Sequence, residues 1–205
     1  MLNIKYLGVT RYSETLALMR DYTDSRDEFS PDELWLLEHE PVFTQGQAGK
    51  DEHILCAGDI PVIQSDRGGQ ITYHGPGQLV CYVLIDMKRA HFGVRDLVDG
   101  IEQAVIGLLG TYGIKGHSKK EAPGVYVQES KIAALGLRVR KGRSYHGLSL
   151  NVSMDLEPFT RINPCGYEGL QVTDMNTLGI NEEMSSVSSR LVEQLVRQFG
   201  YDSVP

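Results

Sequence analysis

The sequence is poor in the features that would mark a membrane, secreted or nucleic-acid-binding chain. No apolar run approaches the ~20 residues that a membrane-spanning helix needs, so no membrane role is expected. The first residues, MLNIKYLGVT, form neither a basic leader followed by a long apolar stretch nor an Arg/Ser-rich presequence, and the cytoplasm is the expected location. Cysteine is scarce: Cys56, Cys81 and Cys165 stand at wide, unequal intervals with no CxxC pair, which argues against a disulfide framework and a zinc ribbon. Positive charge is outnumbered, 20 Lys plus Arg against 27 Asp plus Glu, and a net charge of -7 is the wrong sign for a phosphate backbone. No nucleic-acid partner is expected. Ligand signatures are missing as well. The segment from Gln47 to Asp51, QAGKD, lacks the earlier glycine and the following Ser or Thr of a phosphate loop, residues 67–78 lack GxGxxG, and no HExxH, His-x-His or acidic calcium loop occurs. No cofactor or metal is therefore expected, although spacing leaves open a zinc site of His74, His146 and Cys165 without requiring it.

What is present suits one globular unit. The chain has 205 residues, 41% hydrophobic and 23% charged, enough for one core and short for two, so a single domain over residues 1–205 is expected. Apolar spacing predicts three helices: 13–27, capped by Ser13, with Leu16, Met19 and Tyr22 or Thr23; 94–112, with Val94, Leu97, Val98, Ile101, Val105, Leu108 and Tyr112 on one stripe; and 187–199, with Leu191, Leu195 and Phe199. Residues 79–86, LVCYVLID, read as a buried strand. Residues 124–152 read as a meander with turns at Glu129-Ser130 and Lys141-Gly142. In the middle strand Lys131 has the parity of Ala133, Leu135, Leu137 and Val139, so without a bulge it points to the apolar face while Arg138 and Arg140 point away. By the same rule His146 shares the interior face of Leu148, Leu150 and Val152. Strands in mixed order with separate helices predict an α+β fold. The basic run of residues 138–143, RVRKGR, reads as a solvated strand edge or a local docking patch on an acidic protein.

Two segments carry candidate chemistry. Residues 67–78, RGGQITYHGPGQ, set glycines and prolines around Arg67 and His74, where backbone amides can approach a ligand closely. Residues 163–166 place Cys165 between Pro164 and Gly166, outside any periodic run. Cys56 and Cys81 lie in apolar neighbourhoods where cysteine acts as a small buried hydrophobe, whereas the turn around Cys165 offers its sulfur to a substrate. A thiol needs a partner that favours its thiolate. His74, His146 and Lys131 are all candidates, the lysine because burial would lower its pKa and make the amine a proton acceptor.

The motifs resemble a known family. RGGQITYHGPGQLVCYVLID, APGVYV followed by KIAALGLRVR, YHGLSLNV with Asp155-Leu156 and Pro158-Phe159 just after it, and RINPCGYEG occur in the order found in the lipoyl(octanoyl) transferases, over roughly residues 40 to 175. The resemblance implies the fold of biotin and lipoate protein ligases, a mixed β-sheet core flanked by helices. It implies an acyltransferase that moves an octanoyl group from octanoyl-acyl carrier protein to a specific lysine of lipoyl domains, those of 2-oxoacid dehydrogenase E2 subunits and of the glycine cleavage H protein, with no cofactor and as a monomer. Cys165 matches the family's acyl-thioester cysteine and Lys131 its paired lysine. The family's substrate-binding stretches fall on Arg67, Gly68, Gly69, Gln70, Ile71, Thr72, Tyr73 and His74, on Ala134, Leu135 and Gly136, and on Gly147, Leu148 and Ser149. The rival reading is an ATP-dependent lipoate or biotin ligase of the same fold, which needs an adenylate pocket and no thiol.

Overall fold

The computed structural model describes residues 1–201. In chain order its main elements are β1 (Leu2–Thr10), α1 (Tyr12–Ser25), β2 (Asp32–His39), β3 (Val42–Gln45), β4 (Val62–Gln64), β5 (Ile71–His74) and β6 (Gln78–Leu84), then α2 (Val94–Thr111), β7 (Gly116–Ser118), β8 (Gly124–Val127), β9 (Ser130–Arg140), β10 (Arg143–Asn151) and α3 (Met184–Gln198). The larger sheet has the order β1-β2-β6-β10-β9-β8-β7, with β1 and β2 parallel and the other neighbours antiparallel. A second sheet, β4-β3-β5, carries the middle of the glycine-rich stretch as β5. This mixed α+β arrangement agrees with the expected class.

The central strand β6 explains the layering. Every residue from Gln78 to Leu84 is buried, as in a strand covered on both faces. Leu79, Cys81 and Val83 enter the core formed with α2 and α3, while Val80, Tyr82 and Leu84 alternate onto the opposite face with Tyr12, Leu16 and Met19 of α1. The stripe of α2 is buried at Leu97, Ile101, Val105 and Leu108, but Val94 at its start is 54% exposed. On α3, Leu191, Leu195 and Phe199 are buried as expected. Among the described residues no helix is long and apolar enough to cross a membrane.

Several local expectations change. Helix α1 starts at Tyr12, with Arg11 at the cap position and Ser13 exposed inside the first turn. The β8–β9 turn falls on Gln128 and Glu129, and Ser130 already belongs to β9. The turn at Lys141-Gly142 is confirmed, with φ of 54° and 80° at its two residues, as a tight hairpin requires. Cys56 is exposed instead of buried, because its segment is a turn whose amide is held by the carbonyl of Arg161. The basic run is largely neutralised: Arg140 and Lys141 pair with Asp24 at 3.2 and 3.3 Å, Arg143 pairs with Asp86 at 3.4 Å, and Arg138 donates to Gln47.

Candidate active site

Lys131 and Cys165 meet because two irregularities redirect the chain. In β8–β9 pairing Val125 opposes Ala133 but Tyr126 opposes Lys131, so one extra residue, Ile132, is accommodated as a bulge. Paired residues point to the same face, and Lys131 therefore turns with Tyr126 to the face opposite Ala133. The parity expectation fails here for that reason. Lys131 is nevertheless only 4% exposed, since the other face is covered too. Its backbone is clasped by the extended segment that follows the cysteine: Lys131 N donates to the carbonyl of Gln171 at 2.8 Å and Thr173 N to the carbonyl of Lys131 at 3.0 Å. That return path brings Cys165 back to β9.

Cys165 sits in the left-handed region, φ 57° and ψ 17°, inside the tight turn Pro164–Gly166. A non-glycine residue there stores about 1 to 3 kcal/mol of strain, and the turn projects the thiol out of the packed chain. Hydrogen bonds from Gly166 N to the carbonyl of Asn163 (2.9 Å) and from Tyr167 N to the carbonyl of Pro164 (3.1 Å) hold it. Lys131 Nζ donates to Cys165 Sγ at 3.0 Å and lies 5.4 Å from the centre of the Tyr126 ring. Burial opposes its charge, but the charge of Cys165 and the hydrogen bond to it outweigh burial, so the lysine pKa is raised. The expectation of a buried amine made neutral is thereby corrected: this site favours an ammonium beside the sulfur. Gly124 makes the placement possible, because a Cβ there would lie 2.4 Å from Lys131 Cε.

The Lys131–Cys165 pair borders a cavity of about 380 Å³, within the range of roughly 300 to 1,000 Å³ common for small-molecule sites. Arg67, Gly68, Gly69, Gln70, Ile71, Thr72 and His74 line it, with Ala134, Leu135, Gly136, Gly147, Leu148 and Ser149. Tyr73 does not. It alternates away from Thr72 and His74 into a cluster with Phe43 and Phe159, at ring separations of 5.5 and 5.6 Å. The glycine stretch docks onto the free part of β9, where Gly68 N donates to the carbonyl of Leu137 at 2.8 Å. Arg67 is buried, and its guanidinium donates to Thr44 and to the carbonyls of Gly68 and Gln70, so it shapes this loop from within.

Neither histidine approaches the thiol as a hydrogen-bond partner. His74 uses both ring nitrogens, with Gln78 Oε1 at 2.6 Å and Thr44 Oγ1 at 3.2 Å. Burial, reinforced by nearby His39, pulls its pKa down to about 3 and keeps it neutral. His146 has φ 59°, which breaks strand alternation and turns the ring away from Leu148 and Leu150, toward Asp66. It is buried as expected, but on the opposite face. Its Nε2 lies 2.8 Å from Asp66 Oδ1, and burial lowers its pKa. Among the described residues His74, His146 and Cys165 form no metal-binding group, nor do any three His, Cys, Asp or Glu.

Other cavity residues escaped the sequence reading. Val80 and Tyr82 had a signal, their shared parity within the buried strand. Tyr12, Val94, Val98, Tyr167 and residues 121–123 arrive through topology, which no local pattern encodes.

The family model of the lipoyl protein ligase A/B catalytic domain matches residues 11–196. An octanoyltransferase of Shewanella frigidimarina is 57% identical over 203 residues, covering 99% of this chain and 94% of that protein. Among solved structures, lipoate-protein ligase A bound with ATP superposes with a TM-score of 0.80 at 16% identity, covering 97% of this chain and 85% of that one. Biotin protein ligase from Aquifex aeolicus gives 0.59 at 15% identity, covering 97% and 69%. These two likenesses establish the fold that the motifs implied.

Proposed function

The chain belongs to the lipoyl protein ligase A/B catalytic domain family, and on that premise we propose that it is an octanoyltransferase acting in protein lipoylation. It takes the octanoyl group from octanoyl-acyl carrier protein and delivers it to a specific lysine of lipoyl domains, in E2 subunits of 2-oxoacid dehydrogenases and in the glycine cleavage H protein. It does so as a cytoplasmic monomer whose one catalytic domain spans residues 1–205. The observation that carries the reading is the 3.0 Å contact between Lys131 Nζ and Cys165 Sγ beside the cavity.

The chemistry follows from the proximity of that pair. Cys165 Sγ, as thiolate, attacks the carrier thioester, and collapse of the tetrahedral intermediate expels the carrier thiolate, which takes a proton from the Lys131 ammonium. Octanoyl is now held as a thioester on Cys165 and Lys131 is neutral. The acceptor lysine amine attacks this thioester, gives its proton to Lys131, and leaves as the amide while Sγ departs as thiolate. The ion pair is restored. Conversion of a thioester to an amide is downhill, so no nucleotide is required. The lining at Ala134, Gly136 and Gly147 keeps side chains small beside the acyl group.

Intact mass spectrometry of the protein mixed with octanoyl-acyl carrier protein, without ATP, tests this reading. One octanoyl adduct is expected, absent in Cys165→Ala and discharged on adding a lipoyl domain. Transfer that occurs only with ATP would favour a ligase instead.

A further inference from the structure

The side chain of Gln70 occupies a place that the dyad mechanism leaves unused. Its backbone is fixed at the mouth of β5, where the carbonyl accepts from Arg67 at 2.8 Å and from Gly46 N at 3.2 Å. The carboxamide reaches across to the nucleophile's turn. A Cβ on Gly166 would stand 2.7 Å from Gln70 Nε2, 2.8 Å from Cδ and 3.2 Å from Oε1, so the glycine directly after Cys165 leaves room for this amide. Gln70 lines the cavity together with Cys165 and Lys131, and its Oε1 is buried with no hydrogen-bond partner. Of the carboxamide atoms Nε2 is the nearest to the glycine after Cys165, so its N–H₂ donors face the nucleophile's side of the cavity. The charged and imidazole groups nearby are committed: Arg67 to Thr44 and the loop carbonyls, His74 to Thr44 and Gln78, Lys131 to the sulfur.

We infer that the Gln70 carboxamide donates a hydrogen bond to the oxyanion formed when Cys165 adds to an acyl thioester, an inference that rests on the acyl-transfer reading above. As the Sγ–C bond forms, the carbonyl π pair moves to oxygen, and the Gln70 N–H meets that charge. When the leaving thiolate departs the pair returns to the carbonyl and the hydrogen bond weakens. The same donor serves the second addition, in which the acceptor amine attacks the Cys165 thioester. Gln70 is thus a catalytic residue, distinct in role from the proton-carrying lysine.

The test compares two reactions of one thiol. Acylation of Cys165 by a small octanoyl thioester passes through an oxyanion, whereas its alkylation by iodoacetamide does not; both rates are read from the Cys165 peptide by mass spectrometry. Removing a side-chain oxyanion donor costs about 100-fold or more, so Gln70→Ala should slow acylation by that factor and alkylation by less than about threefold. Gln70→Glu, similar in size but without the N–H₂, should acylate as slowly. Parallel losses in both reactions would mean that Gln70 merely supports the turn or the thiolate, and an unchanged acylation rate, or near-normal acylation by Gln70→Glu, would equally overturn the inference. Failure of the unaltered protein to acylate at all would instead defeat the acyl-transfer reading and carry the inference down with it.

Discussion

At the scale of single residues the site rests on one sulfur that is placed and two that are not. Cys81 is fully buried, and burial pushes its thiol up to about 12, so at neutral pH it is protonated and out of reach. Cys56 is exposed but does not line the cavity. In the native protein iodoacetamide should therefore label Cys165 and Cys56 and spare Cys81, while octanoyl thioester should label Cys165 alone. Peptide mapping reads both patterns, and an octanoyl group on Cys56 would break the assignment. Lys131→Met keeps most of the side chain's volume and removes its proton and charge. Transfer should fall by about 100-fold or more, as when a general acid or base is lost. Near-normal turnover by a folded Lys131→Met protein would assign Lys131 a packing role only. Cys165 was legible in the sequence as a thiol between two turn formers, and no local signal singled out its partner. By local pattern the lysine and the two histidines are equal candidates, the family resemblance favours Lys131, and only the folded structure puts one of them 3.0 Å from the sulfur.

Among the secondary-structure elements, the departures from regularity do the positioning. The α2 stripe and the buried run of β6 could be read from periodicity because each is a regular element with one or two apolar faces. The faces of Lys131 and His146 could not, since one inserted residue in β9 and one left-handed residue in β10 each reverse the alternation on which the reading depends. The small sheet was hidden for another reason: β3, β4 and β5 have 4, 3 and 4 residues, too short for a pattern to emerge. Two glycines test this view of positioning. Gly124 has φ 140° and faces Lys131 Cε, so Gly124→Ala should displace the lysine, cutting transfer by at least about tenfold and lowering stability by about 1 to 3 kcal/mol. Gly110, exposed in α2 with open space where a Cβ would go, should behave oppositely. Gly110→Ala should raise stability by about 0.5 to 1 kcal/mol through helix propensity and leave transfer alone. Denaturant titrations paired with single-turnover assays check both, and equal behaviour of the two variants would contradict the positioning argument.

For the molecule as a whole, the face of the large sheet that carries the cavity is held together by buried polar rings, and this gives the fold an acid limit. His39 bonds Tyr82 through Nε2 at 2.6 Å and approaches the carbonyl of Thr10 at 3.2 Å through Nδ1; its ring lies 5.8 Å from that of His74, with Tyr12 against both. The charge of Arg67 acts on His74, and Asp66 is bonded to His146, Tyr145 and Arg20. Burial, only partly offset by the bond to Thr10, brings His39 down to about 4, and burial together with His39 brings His74 to about 3. In the unfolded chain both titrate near the ordinary value of about 6.5. Between that value and the folded pKa the unfolded state binds more protons, so stability rises with pH there. The contribution is complete above about pH 6.5 and is lost as pH falls toward 4. Two such groups at pH 5 imply a loss on the order of 4 kcal/mol relative to pH 7.5. The carboxylate of Asp66, whose bonds to His146 and Tyr145 hold it well below its ordinary range in spite of burial, acts only in a more acidic window. Urea midpoints measured from pH 7.5 to pH 4.5 should therefore drop steeply below about 6.5. His74→Gln, which retains a hydrogen-bonding amide in place of the imidazole, should flatten part of that slope even if it lowers the plateau. A midpoint constant across this range, or an unaltered slope in the variant, would show that these histidines do not enter the folded state as neutral groups.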